Sequence, residues 1–366
     1  MLITLGSILP SLTDKFSIDK LQAGKLASIL PLGVMVGSLV FGPFADKKGY
    51  KILFILATLL VIIAFEGLAF AKSFLLVQVC IFFIGLGGGT INGATNAVVA
   101  DISTGDKGAN LSLLGVFFGI GALGMPLLLS LLSKQYDYTE ILSAIGMLML
   151  LPVFYFISIK FPVPKHGHGF PVKEGIRLIR EPALLLTGFF LFFQSGTEAL
   201  VNNWTTTFLQ TELRVSEKDS LFALSCMVGG LTAARLLLGF LLKKISSFLI
   251  MLCSLLLTTT GIALLFSGGS YNMVLSALVI TGVGLAAGFP VMLGYIGQLY
   301  SKLSGTAFSI VLVIAITGNI LINYFFGIIS HKYGIRQLPV FLFAAIACML
   351  IFLVWVRLKI SSRVTK

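Results

Sequence analysis

The chain has 366 residues, of which 57% are hydrophobic and only 11% charged, and its formal net charge is +12. A soluble domain of this length could not hide so much apolar surface in one core, so the composition excludes a soluble globular protein and predicts a polytopic, all-α membrane protein. No basic patch interleaved with aromatics sits on a soluble module, so the positive charge does not point to nucleic acid.

The opening stretch MLITLGSILPSL is apolar but about half as long as the ~20 residues that a membrane-crossing helix needs. It lacks a basic leader and a small-residue cleavage site, so it reads as the outer half of a truncated first span rather than a signal peptide. Complete spans are expected at 25–45, 51–71, 74–100, 108–132, 140–159, 183–209, 218–242, 246–267, 271–298, 303–329 and 336–357. With the partial one, twelve spans are intended.

Between the 25–45 and 51–71 spans lies GPFADKKGYK, Gly42 to Lys51, a tight basic loop. Gly49 suits a turn with positive φ. Asp46 can accept from helix-terminal N–H groups or pair with Lys51, and Lys47 and Asp101 are further candidates for the same gate. Glu66, near the end of its span, is expected to reach water and to play no direct role. In the 74–100 span Gly85, Gly89, Asn92 and Asn96 share a helix face, which fits close helix approach with two inward amides, or ordinary interhelical glue.

The polar segment 160–182 divides the chain into an N-terminal half, 1–159, and a C-terminal half, 183–366. Within it VKEGIRLIRE suits one short amphipathic helix. His166 and His168 are read as linker residues, with no Cys or carboxylate cluster to make a metal site. In the next span Gln194, Glu198 and Asn202 recur every four residues, which puts them on one helical stripe with Trp204 beside them. A charge at the bilayer centre costs about 2.5–3.5 kcal/mol on insertion scales, so Glu198 needs a partner or a cavity. A carboxyl beside amides and an indole suits sugar hydroxyls and makes Glu198 a candidate proton carrier. Arg235, near the end of its span, is expected to snorkel to the interface. Gln298, Asn319 and Asn323 are further amides at helical spacing, divided between packing and solute binding. Cys80, Cys226, Cys253 and Cys348 all fall inside spans and read as small buried hydrophobes rather than disulfides.

GPFADKK at 42–48 has an echo in GFLLKKI at 239–245, each closing the second span of its half. Two similar six-span halves are what a rocking secondary transporter shows. On Gly42, Asp46, Lys47, Gly49 and Lys51 the chain resembles the major facilitator superfamily. LQAGKLASILPLGVMVGSLVFGPFADKKGYK, with Glu198 and Trp204 in FFQSGTEALVNNWTTTFL, resembles its fucose/glucose–proton symporter branch. The stretch GGGTINGATNAVVAD departs from that branch, with Asn92 where an acidic residue is common. The resemblance implies a twelve-span bundle of two pseudo-symmetric six-helix halves that admits a small polar solute, a sugar above all, together with a proton or other cation. No cofactor is expected.

The basic joints place both termini in the cytoplasm if the inner-facing loops carry the larger share of Lys and Arg. A multi-pass protein of the cytoplasmic (inner) membrane, working as a monomer, is therefore expected. A proton-coupled exporter of drugs or metabolites is the alternative, and a non-transporting sensor stands behind it. Catalysis is disfavoured, because the histidines lie in loops and neither HExxH nor GxSxG occurs.

Overall fold

The computed structural model describes residues 12, 15, 16, 20–132, 135–164, 172–267 and 270–364. The opening 1–11 stretch, with most of the expected partial span, lies outside the described residues, as do His166 and His168. Every regular element among the described residues is helical. In chain order these are α1 (Lys20–Lys48), α2 (Tyr50–Ala69), α3 (Phe74–Ile102), α4 (Lys107–Leu132), α5 (Tyr138–Leu148), α6 (Leu150–Ser158), α7 (Val172–Leu178), α8 (Pro182–Glu212) and α9 (Glu217–Leu241). After them come α10 (Ser247–Phe266), α11 (Tyr271–Leu285), α12 (Gly288–Leu299), α13 (Ser304–Tyr333) and α14 (Leu338–Val364).

Ten helical stretches among the described residues are long and apolar enough to cross a membrane. The 26-residue α4 occupies the expected 108–132 span. Ile63, Leu75 and Leu256 are 68%, 69% and 66% exposed, a pattern that hydrocarbon tolerates and water does not. Two expected spans are broken. The 140–159 stretch divides at Met149, three residues before Pro152, and the 271–298 stretch divides at Ala286 and Ala287, just before Pro290. Each proline lacks the N–H that would bond the carbonyl four residues back.

The chain forms two compact units. The first comprises the described residues of Met1–Val98, Ile120–Gly175 and Lys302–Ile310. Here α1 and α3 meet through small residues, with Gly33 against Gly85 and Gly89 against Val34. Thr90 Oγ1 donates to the Gly37 carbonyl at 3.3 Å. α2 packs on α5 through Phe65, Leu68, Ile141 and Leu142. It meets α6 through Phe54, whose ring lies 5.1 Å from that of Phe156. Gly49, at φ +85°, makes the turn from α1 to α2, and Lys51 Nζ donates to the carbonyls of Ile157 at 2.6 Å and Ile159 at 3.3 Å. A cation there complements the negative end of α6.

Glu66 does not simply reach water. Its Oε2 accepts from Ser143 Oγ on α5 at 2.8 Å, while its Oε1 is buried without a partner among the described residues. The helix that faces Glu66 supplies a hydroxyl, which the local sequence could not reveal.

The second unit comprises the described residues of Val99–Gly119, Ile176–Ser301 and Val311–Lys366. α8 lies along α14, with Phe189 and Phe352 stacked at 5.7 Å. α11 is set closely against α9 and α10, Gly282 facing Met227 and Gly284 facing Thr258. The first turns of α4 run along α9, where Ser112 Oγ donates to the Arg235 carbonyl at 2.6 Å and Gly119 faces Thr232. Ser216 caps α9 by accepting from the Asp219 N–H at 3.1 Å. All four cysteines are free, but only Cys80 is buried; Cys226 and Cys348 are half-buried, and Cys253 is exposed on its face of α10.

Candidate functional site

The second unit holds the α8 stripe. Gln194 is 2% exposed, and its amide nitrogen donates both to Glu198 Oε1 at 2.9 Å and to the Leu285 carbonyl at 2.9 Å. Glu198 is half-buried one turn further along. Asn202 is exposed, and its Nδ2 donates back to the Glu198 carbonyl at 2.8 Å. The four-residue spacing thus yields the expected single stripe, although both side-chain N–H donors of Gln194 are engaged by protein.

Beyond the stripe, Trp204 Nε1 donates to Asn323 Oδ1 of α13 at 3.1 Å, and Asn203 Nδ2 donates to the same oxygen at 3.2 Å. Asn323 Nδ2 donates to the Asn319 carbonyl at 2.9 Å, and Asn319 is exposed. The Trp204 ring stands edge-on to Phe326, with centroids 5.0 Å apart. Packing and one hydrogen bond therefore fix the orientation of an indole that is only partly buried. Glu198, Asn202, Trp204, Asn319 and Asn323 offer a carboxylate, amides and an aromatic ring on two helices of one unit.

Arg235 does not snorkel. It is 9% exposed, its guanidinium lies over Gly115 of α4, and it interacts electrostatically with Glu198. A side chain at Gly115 would collide with that guanidinium, its Cβ 2.8 Å from Arg235 Cδ. Arg235 Nε is buried and has no hydrogen-bond partner among the described residues. Sequence reasoning missed this pairing because position along a span does not tell whether a helix face meets lipid or protein. The available signal was the presence of one acidic and one basic residue well inside two successive spans.

Other expected residues lie elsewhere. Asn92 and Asn96 belong to the first unit, where Asn96 Nδ2 donates to the Asn92 carbonyl at 2.8 Å. Gln298 is exposed on the penultimate residue of α12. Next to it, the Gly297 carbonyl accepts from Lys107 Nζ at 2.8 Å.

Of the residues expected to form a gate, Asp46 and Gly42 meet the start of α13, in the first unit. Asp46 is 1% exposed, and its carboxylate accepts from the Gly305 N–H at 3.2 Å, the Thr306 N–H at 2.8 Å and the Thr306 hydroxyl at 2.7 Å. Gly42 lies directly against the Gly305 backbone and Ser309, and a Cβ on it would fall 2.6 Å from Ser309 Cβ. Of the two partners considered for Asp46, the structure shows helix-terminal N–H groups. Lys47 is exposed, Lys51 serves α6, and Asp101 is half-buried near the end of α3. Gly305 and Thr306 carry no sequence motif, so nothing local marked them as the other side of this contact. Among the described residues no group of three His, Cys, Asp or Glu could hold a metal ion.

The sequence profile of the Major Facilitator Superfamily matches residues 1–250 and 232–366. The chain belongs to that superfamily. It is accordingly a multi-pass membrane transporter and not an enzyme. Its similar proteins include a glucose/mannose transporter of Bacillus subtilis, 24% identical over 89% of this chain and 83% of the relative. The cis,cis-muconate transport protein of Acinetobacter baylyi is 25% identical over 67% of this chain and 62% of the relative. Among solved structures, the E. coli fucose:proton symporter superposes with a TM-score of 0.77 at 18% identity, covering 97% of this chain and 95% of that one. A proton:xylose symporter superposes with a TM-score of 0.81 at 12% identity, covering 97% and 92%. Both solved structures share their fold with this chain, and the resemblance carried by the 42–51 loop is borne out.

Proposed function

We propose that this facilitator-superfamily transporter imports a small, hydroxyl-rich solute, a sugar, together with a proton, by alternating access of its two sequence halves, 1–159 and 183–366, about the 160–182 linker. The observation that carries the reading is the placement of Glu198 and Trp204 on α8, with Asn323 of α13 holding the indole. A carboxylate offers two acceptors to vicinal hydroxyls, and an indole face covers the C–H side of a sugar ring. Glu198 is assigned both solute contact and proton coupling. Asn92, Asn96, Asn202, Asn319 and Asn323 are assigned hydrogen bonds to solute, with Gln298 at the far end of α12. Gly42, Asp46, Lys47, Gly49, Lys51 and Asp101 are assigned the gate, with Asp46 as its centre. The glucose/mannose relative and the fucose and xylose symporters support a sugar. The protein is assigned to the cytoplasmic membrane as a monomer, its C-terminus inside.

A carboxylated solute is the second reading, favoured by one observation: the buried Arg235 Nε lacks a partner among the described residues. The relative named for muconate transport fits that reading. One experiment separates the two. The full chain is reconstituted in proteoliposomes, and external pH is recorded while hexoses, deoxyhexoses, sugar acids and muconate are added in turn. External alkalinisation on adding a neutral sugar, lost in Glu198→Gln, supports sugar–proton symport. A response confined to the acids moves the assignment to the second reading, and silence with every solute overturns both.

A further inference from the structure

We infer that Gln194 is a positioning residue that ties the state of Glu198 to the break in the 271–299 span. The inference rests on the proposed role of Glu198, but it begins from the break itself. α11 stops at Leu285 and α12 starts at Gly288, so the last carbonyls of α11 lose their helical partners. Pro290 likewise supplies no N–H to the Ala286 carbonyl four residues back, within the break. Two side chains fill the gap. Ser254 Oγ of α10 donates to the Gly284 carbonyl, and Gln194 Nε2 of α8 donates to the Leu285 carbonyl at 2.9 Å. Gly288 makes room for the second contact, since a Cβ there would lie 2.6 Å from Gln194 Cδ.

The same Gln194 nitrogen donates its other hydrogen to Glu198 Oε1 at 2.9 Å. A side-chain amide has two N–H donors, and both are now in use on acceptors. The arrangement therefore requires an acceptor at Glu198. When Oε1 itself takes a proton it becomes a donor, and the Gln194 amide meets it by presenting its oxygen. Rotation that does so sets oxygen against the Leu285 carbonyl, acceptor against acceptor, and that end of α11 loses its donor. Arg235, from α9, is the charged group that interacts with Glu198. Loss of the Glu198 charge thus loosens a span at a point that already lacks helical hydrogen bonds. This also explains why Gln194 is buried while the next residue of its stripe but one, Asn202, is open.

The test is hydrogen–deuterium exchange, read by mass spectrometry, on the full chain in lipid nanodiscs with no solute present. Peptides covering 284–292 are compared in the parent protein, Glu198→Gln, Gln194→Leu and the double variant. Glu198→Gln puts a neutral group with its own N–H donors in place of the carboxylate. One lost hydrogen bond raises local exchange by about two- to tenfold. The expected result is a rise of that size in each single variant, no further rise in the double, and no change in peptides from α10. Unchanged exchange in Glu198→Gln, or effects that add in the double, overturns the inference. If Gln194→Leu does not fold, Glu198→Gln decides alone. Because no solute is used, the result is independent of whether the transported molecule is a sugar.

Discussion

Asp46 Oδ2 takes two hydrogen bonds from Thr306, one from its backbone N–H at 2.8 Å and one from its hydroxyl at 2.7 Å, across 260 residues of sequence. With Gly305 N–H on Oδ1, the carboxylate caps the start of α13 from another helix. A helix N-terminus carries roughly half a positive charge, and its first N–H groups have no partner of their own. A buried carboxylate supplies both the charge and the acceptors.

Asp46→Asn keeps the shape and removes the charge. Hydrogen bonds to a charged group are worth about 1.5–3 kcal/mol, against about 1 for neutral ones. The expected outcome is a transport rate at least about tenfold lower, with solute affinity changed by less than about threefold. Initial uptake rates and equilibrium binding on the same preparation check this, and an undiminished rate would remove Asp46 from the gate.

Gly42→Val tests the approach of backbones that makes the cap reachable. A branched side chain has no space between α1 and the Gly305 backbone, so the helices must part and Asp46 must lose its partners. A loss of about 2 kcal/mol or more is expected, seen as a lower thermal midpoint in detergent. Gly121→Ala, at a position with nothing within 4 Å, is the matched control and should leave the midpoint unchanged or slightly raised.

How much of this was legible in the sequence varies with the distance over which the cause acts. Long apolar runs mark helices because lipid forces the backbone to satisfy itself, so 74–100 and 183–209 fell close to α3 and α8. The Gln194–Glu198 pair was readable because four residues make about one helical turn. The breaks at Met149 and Ala286 were overlooked because hydropathy continues through a proline even where hydrogen bonding does not. Ser143 on Glu66 was not legible, Arg235 beside Glu198 was signalled only by two charges in successive spans, and for Asp46 the kind of partner was legible but not its identity, Thr306. Each depends on which helix faces which, and hydropathy carries no record of that.

Arg235 and Glu198 should behave as one unit. Removing one member of a fully buried charge pair costs about 3–5 kcal/mol, and the half-buried Glu198 lowers that figure here. Arg235→Leu alone is expected to reduce folded yield sharply, while Arg235→Leu with Glu198→Leu recovers it without recovering transport. Yield after size-exclusion chromatography decides the point, and equal yields for all three would mean the two charges act independently.

Trp204 and Asn323 form the other testable pair. Trp204→Phe removes the N–H donor, and Asn323→Ala removes its acceptor together with that of Asn203. Solute affinity in a double-variant cycle should show a coupling of about 0.5–1.5 kcal/mol. A coupling near zero would leave the indole a packing residue.

Each compact unit includes a short length of chain from across the linker, Lys302–Ile310 in one and Val99–Gly119 in the other. A gene cut at the linker would therefore encode two fragments, each missing part of its own packing and each trailing a helix end made for the other. Expressed apart, each fragment is expected to lack that length of its own unit; expressed together, each can supply it to the other.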